Sequence, residues 1–233
     1  MREITHKGLA RLVGFYGSHK IDPVNLSILE LSSVEPDEIR REQLDKGMFE
    51  AITGSLGWFS EHTMKAKELS IENVINACEA YNSGNRSWSK WLGWCFHYIT
   101  DWATPYHSIK LMIKYILDSE NKNLNEDLFL TIIEKFANLA KFKIEHDQFE
   151  SICEKRWQEI EPFVKENIIK FKNNKKFSVN LDRFDKMMDE LSLRAENRSV
   201  QWANESTNQE FAKYMTQIAI LMDLACRLVF ERG

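Results

Sequence analysis

The sequence has little glycine and proline, with nine and four residues among 233. Because these residues are the strongest breakers of regular structure, their scarcity favours long helices. The alternation of apolar and polar residues that is typical of half-buried strands is nearly absent as well. A fold built from many short strands and tight turns is therefore excluded.

The cysteines lack the spacing that metal sites and disulfide frameworks require. They are four in number, far apart, and include no CxxC pair: Cys78, Cys95, Cys153 and Cys226. We therefore expect four reduced and mostly buried thiols.

The chain also lacks a charge excess and a long apolar run. Its 31 basic and 35 acidic residues give a formal charge of −4, which excludes a protein that wraps long nucleic acid through basic charge alone. No stretch approaches the ~18 uninterrupted apolar residues of a membrane span, and the start has no apolar signal region. We expect a cytoplasmic protein as written, although a mature secreted form whose signal has been removed would look the same.

Apolar residues recur at helical spacing almost throughout the chain. The length fits one domain spanning residues 1–233. We therefore predict an all-α, single multi-helix domain, in which the long stretch 126–172 is broken at Pro162. The predicted helices cover 5–17, 23–33, 38–52, 58–66, 71–82, 87–103, 108–118, 126–172, 180–204 and 208–231.

Helix start and stop signals agree with these limits. Asp22 precedes a proline and can cap the second helix, and Ser70 can cap the helix over 71–82. Gly84 can end that helix. Thr207 and Glu210 have the spacing of a capping box for the last helix.

The segment from Trp91 to His107 contains the most informative residues. His97 and Asp101 lie four residues apart, on one helical face, where one metal ion can bind both. The neighbouring residues are large and apolar, so a buried Asp101 without a cation would be unstable. Pro105 then ends the helix and lets His107 turn back from a loop.

A second pair at the same spacing follows, formed by His146 and Glu150. Either pair alone is more typical of a solvated surface ion pair. Two pairs together with three further histidines favour a metal site instead, and these histidines are His6, His62 and His107. The sixth, His19, fits a surface position.

The run Leu92-Gly93-x-x-x-His97-Tyr98-x-x-Asp101-x-x-x-Pro105-x-His107 resembles the motif of the bacterial zinc-dependent phospholipases C and the related single-strand-specific zinc nucleases. The likeness spans nearly the whole chain, from an early histidine to a long C-terminal helix. It implies the phospholipase C fold and a hydrolase of phosphate esters that acts through a zinc-bound hydroxide. A phospholipase C-like phosphodiesterase is the preferred activity.

The resemblance implies two or three zinc ions and the residues that hold them. The first ion would bind Asp37, His62, His97 and Asp101, the second His107, His146 and Glu150, and the third His6, Asp101 and the amine and carbonyl of Met1. Asp37 would also orient or deprotonate the attacking water. Asp45 lies nearer to His62 in the sequence and is an alternative to Asp37. The family's mature chains begin with tryptophan, whereas this chain begins with Met1.

The substrate implied is a phospholipid headgroup or another small phosphodiester. Single-stranded nucleic acid or a nucleotide is the alternative, but neither a basic groove nor the disulfides of the nuclease branch are evident. Four aromatic residues flank the proposed ligands and would either cover a substrate or belong to the core: Trp58, Phe59, Trp102 and Tyr106.

Two readings without catalysis also remain open. In one, zinc only stabilises a helical protein. In the other, the chain is a helical interaction domain without metal, and its histidines are scattered. An open coordination position at the metal distinguishes an enzyme from a structural zinc site.

Overall fold

The chain packs as a bundle of α-helices in a computed structural model, which describes residues 3–38, 62, 65–108, 111, 113–114, 128–173 and 179–231. Within these ranges no residue belongs to a strand, so the predicted all-α class is confirmed. The helices are α1 (Glu3–Tyr16), α2 (Pro23–Ser32), α3 (Ala66–Asn82), α4 (Trp88–Trp102), a short 3-10 turn (Pro105–His107), α5 (Leu128–Lys172), α6 (Leu181–Ala195), α7 (Val200–Glu205) and α8 (Asn208–Glu231).

The C-terminal helix α8 forms the centre of the bundle. It packs against α1, α3, α4, α5 and α6. Its apolar residues, including Phe211, Met215 and Leu228, are fully buried. A helix covered on most sides by other helices is a core element, and it gives the surrounding helices a common surface to pack on.

The helices α2 and α4 approach each other closely at Gly93. A Cβ atom there would lie 2.6 Å from the Cβ of Ser32 and 2.8 Å from the carbonyl oxygen of Leu29. Only glycine therefore permits this packing without a shift of α2. His97 follows one turn later on α4, so the close approach brings the end of α2 to this histidine.

Three of the predicted helix signals are present. The carboxylate of Asp22 accepts hydrogen bonds from the first backbone amides of α2. Thr207 and Glu210 exchange the hydrogen bonds of a capping box at the start of α8. Gly84 follows α3 with a φ of 72°, a conformation that favours glycine.

The structure corrects the prediction that Pro162 breaks the long helix. Helix α5 runs without interruption from Leu128 to Lys172 and contains Pro162. Ile160, Val164 and Ile168 continue one buried apolar face past the proline. Their burial offsets the one backbone hydrogen bond that proline cannot donate.

Two further predictions about helix limits are wrong. The predicted helix over 180–204 is two helices, α6 and α7, because Ser199 caps a new helix by accepting a hydrogen bond from the amide of Trp202. Ser70 is not a cap, since α3 already begins at Ala66 and the Ser70 hydroxyl donates to the Ala66 carbonyl inside the helix. The predicted helices over 38–52, 58–66 and 108–118 lie largely outside the described residues.

All four cysteines are free thiols, as expected. Three of them are buried, and Cys78 is half-buried. Burial raises the pKa of Cys95, which keeps its thiol protonated. None of the described helices combines the length and the apolar character that crossing a membrane requires.

Candidate metal centre

Eight of the side chains predicted to bind zinc lie at one place in the bundle. Contacts of 4.0 Å or less between ring nitrogens and carboxylate oxygens or other ring nitrogens join them into one cluster, formed by His6, Asp37, His62, His97, Asp101, His107, His146 and Glu150. The predicted ligand Met1 and the alternative Asp45 lie outside the described residues. The two pairs spaced four residues apart thus meet across the bundle.

Asp101 lies at the centre of this cluster and is 1% exposed. Its Oδ2 atom contacts Nδ1 of His62 and lies 3.1 Å from Nε2 of His97. Its Oδ1 atom lies 3.7 Å from Nδ1 of His107 and 3.9 Å from Nε2 of His6. Burial alone would raise the pKa of Asp101, but the surrounding histidines hold it well below its usual value. The cluster therefore has a buried carboxylate at its centre.

The ring of His97 is oriented by a backbone carbonyl. Its Nδ1 donates to the carbonyl oxygen of Ser33 at 3.0 Å. Because a carbonyl only accepts, Nδ1 carries a proton, and the lone pair of the neutral ring is on Nε2, facing Asp101. Burial would lower the pKa of His97, but Asp101 and Asp37 outweigh it and raise it to about 9. The position therefore attracts a cation, which is a proton when no metal is bound.

A second group contains two histidines with the same arrangement. Nδ1 of His107 donates to the carbonyl oxygen of His62 at 3.0 Å, and Nδ1 of His146 donates to the carboxylate of Asp147 at 3.2 Å. The lone pair of the neutral His107 ring is therefore on Nε2, and the two Nε2 atoms lie 2.8 Å apart. An oxygen of Glu150 lies 3.2 Å from Nε2 of His146. A proton on Nε2 of His146 satisfies this contact, and a metal cation in its place would bind all three side chains.

Burial keeps His107 in its neutral form. It lowers the pKa of this residue to about 3, even though the charge of Asp101 acts in the opposite direction. His107 therefore offers the Nε2 lone pair of a neutral ring to a cation between the two rings. Neutral imidazole is the form that binds transition-metal ions.

His6 completes the cluster from α1. It is fully buried, and neither of its ring nitrogens makes a hydrogen bond to any residue that the structure describes. Its ring stacks on that of His97, with the ring centroids 4.8 Å apart. Burial lowers the pKa of His6 well below its usual value, so the ring is neutral. A buried polar ring without hydrogen bonds is costly, and a cation at the cluster would satisfy it.

These residues form three groups whose ligand atoms lie within 4.8 Å of one another. The groups are His62, His97 and Asp101; His107, His146 and Glu150; and His6, Asp37 and His97. The second is the full set that the resemblance implies for one ion. The first contains three of the four residues implied for another ion, and the fourth, Asp37, is grouped with His6 and His97 instead. Imidazole and carboxylate are donors that Zn²⁺ accepts, so the residues fit divalent metal ions.

Comparison of the chain with family models, curated proteins and solved structures gives no match. The function must therefore be inferred from the site itself.

Two of the four aromatic residues that flank the predicted ligands lie within the described residues. Trp102 is half-buried, and its ring nitrogen donates to the carbonyl oxygen of Met188. Tyr106 is 2% exposed and belongs to the hydrophobic core. Trp58 and Phe59 lie outside the described residues. Tyr106 is thus a core aromatic, and Trp102 packs against the core.

Sequence reasoning missed the residues that orient the histidines. Ser33 contributes only a backbone carbonyl, for which a sequence has no signal. Asp147 and Glu145 flank His146 directly. The carboxylate of Asp147 binds Nδ1 of His146, and that of Glu145 accepts a hydrogen bond from the hydroxyl of Tyr106. The acidic residues on both sides of this histidine were the available signal.

Proposed function

We propose that this protein is a zinc-dependent hydrolase of phosphate esters, a phosphodiesterase of phospholipase C type that acts on a phospholipid or another small phosphodiester. The observation that carries the proposal is the contact between His107 and His146. Their Nε2 atoms face each other at 2.8 Å beside the carboxylate of Glu150. The two imidazoles and the carboxylate form a donor set that suits zinc.

The groups are connected closely enough to act on one substrate. Asp101 belongs to the group with His62 and His97, and its other oxygen lies 3.7 Å from the ring of His107. Divalent cations in such a cluster would neutralise a phosphate ester and lower the pKa of a water molecule. The carbonyl oxygens of Ser33 and His62 hold the imidazoles in place, so little rearrangement is needed during reaction.

Asp37 would handle the proton of an attacking water. Its side chain is 26% exposed, whereas that of Asp101 is 2% exposed. Its Oδ1 atom lies 3.9 Å from a ring nitrogen of His62. Asp37 therefore faces both solvent and the cluster, and its carboxylate would orient the water or accept its proton.

The burial of the cluster favours a second candidate, a zinc site that only stabilises the fold. His6, His62, His97 and Asp101 are each at most 1% exposed. In a structural site the protein supplies every ligand, whereas a catalytic site keeps a position for water or substrate. The partly open Asp37 and Glu150, the latter 14% exposed, support the catalytic candidate.

Two measurements on one preparation test the proposal. Elemental analysis of protein purified without added metal should give two or three zinc ions per chain. The same protein should cleave a generic activated phosphodiester at neutral to mildly alkaline pH, lose this activity on chelation and regain it with zinc. Activity that survives exhaustive chelation contradicts the mechanism. Zinc-loaded protein that is inert on lipid, nucleotide and generic esters supports the structural site instead.

A further inference from the structure

The hydroxyl group of Tyr106 connects three elements of the fold. It donates a hydrogen bond to the carboxylate of Glu145 on α5 at 3.0 Å. It also accepts one from the backbone amide of Val200, the first residue of α7, at 3.2 Å. The ring itself is buried among core residues. The phenol is therefore fixed both by packing and by two directed hydrogen bonds.

The order of the residues relates this hydroxyl to the metal centre. Tyr106 directly precedes His107, and Glu145 directly precedes His146. The bond between Tyr106 and Glu145 thus joins the immediate neighbours of the two histidines whose Nε2 atoms face each other.

The short turn that contains His107 packs on α5, where the ring of Tyr106 contacts the rings of Phe142 and Phe149. It consists of three residues, and its backbone hydrogen bonds are made with Thr104 and Ser108. Nδ1 of His107 is held by the His62 carbonyl, and Ser108 is held by Glu196. Both of these hydrogen bonds join this region to residues outside α5. The Tyr106 hydroxyl bonds the turn directly to the helix that carries His146 and Glu150.

We propose that Tyr106 is a positioning residue for the group formed by His107, His146 and Glu150. Its hydroxyl keeps the turn at a fixed distance from α5, so that both imidazoles and the carboxylate bind one divalent cation. This inference rests on the proposed function only in requiring a cation at that group. Outer hydrogen bonds that orient ligands change metal affinity by about 10- to 100-fold in other sites.

The test removes the hydroxyl and keeps the ring. Metal-free Tyr106→Phe protein is titrated with Zn²⁺ in competition with a chromophoric chelator. We expect one ion to bind about 10-fold more weakly than in the original protein and the affinities of the others to be unchanged. Titration with Co²⁺ should show an altered visible absorption for that one ion. A merely structural hydroxyl would lower the melting temperature of the metal-free protein without changing one affinity selectively.

Tyr214→Phe is the matched control. It removes another buried tyrosine hydroxyl, which donates to the backbone carbonyl of Ala103 and has no bond to the neighbours of the two histidines. Its zinc affinities should equal those of the original protein.

Variants of Glu145 test the same bond from its other end. Glu145→Gln keeps an acceptor oxygen and should retain most of the affinity. Glu145→Ala should reproduce the loss in Tyr106→Phe, and the double variant should lose no more than either single one. Unchanged affinities in Tyr106→Phe overturn the positioning role while leaving the proposed function in place. An original protein that takes up no zinc overturns the proposed function and this inference with it.

Discussion

The Nε2 atoms of His107 and His146 face each other at 2.8 Å, and each ring donates its Nδ1 proton elsewhere. A proton or a metal ion between the two atoms satisfies both rings. Nε2 of His97 likewise faces the cluster, because its Nδ1 donates to the Ser33 carbonyl. Backbone carbonyls and a neighbouring carboxylate thus direct three Nε2 atoms to the inside of one cluster.

We expect His107→Ala to lower the zinc content by one ion per chain. The substitution removes one of three donors in its group, and the His62, His97 and Asp101 group retains its own. Elemental analysis after dialysis measures this. The matched control is His19→Ala, because His19 pairs with Glu231 at the surface. Equal zinc loss in both variants would contradict the assignment.

Zinc binding at the His97 group should strengthen as the pH rises from about 7 to about 9. The pKa of His97 in the metal-free protein is raised to about 9, so zinc must displace a proton below that pH. The affinity should rise about tenfold per pH unit from this one proton. His107, with a pKa of about 3, adds no such dependence. Competition titrations at pH 7, 8 and 9 measure the effect, and flat affinity for every ion would contradict it.

The same raised pKa has a consequence for stability without metal. A folded pKa above the ordinary value of 6.5 means that protonation of His97 stabilises the fold fully below about pH 6.5. This contribution is lost as the pH rises through about 9. Urea unfolding of the chelated protein across this range should show the decline. The decline should be absent in a His97→Gln variant.

Gly93→Ala should destabilise the protein by about 1–3 kcal/mol and weaken zinc binding, because its Cβ forces α2 away from α4. The new atom would lie 2.6 Å from the Cβ of Ser32, next to the carbonyl that orients His97. Chemical unfolding and zinc titration measure the two effects. Gly84→Ala is the control, since its positive φ also disfavours alanine but no atom lies within 4 Å. It should lower stability without changing zinc affinity.

Asp37→Asn should lower turnover of an activated phosphodiester by about 100-fold or more, as expected for the loss of a general base. The His107, His146 and Glu150 group should still bind its ion, because Asp37 is not part of it. Steady-state kinetics and elemental analysis of the same sample separate the two effects. Asp189→Asn, at the partly exposed contact with Lys67, is the control. Unchanged turnover in Asp37→Asn would remove this residue from the mechanism.

Features that depend on local helical geometry could be predicted from the sequence. The all-α class follows from apolar spacing and from the scarcity of glycine and proline. The pairs His97 with Asp101 and His146 with Glu150 follow from a spacing of four residues, which places two side chains on one helical face. Asp22 and Thr207 form capping hydrogen bonds with residues two or three positions away, so their roles could also be predicted from the sequence.

How these local elements meet depends on the packing of the whole bundle. The distance between His107 and His146, 39 residues apart, depends on the packing of a short turn against α5. The continuation of α5 past Pro162 depends on a buried face that outweighs the preference of one residue. The Ser33 carbonyl reaches His97 because Gly93 lets two helices approach. Each of these contacts is set by many side chains packing at once, which no local spacing encodes.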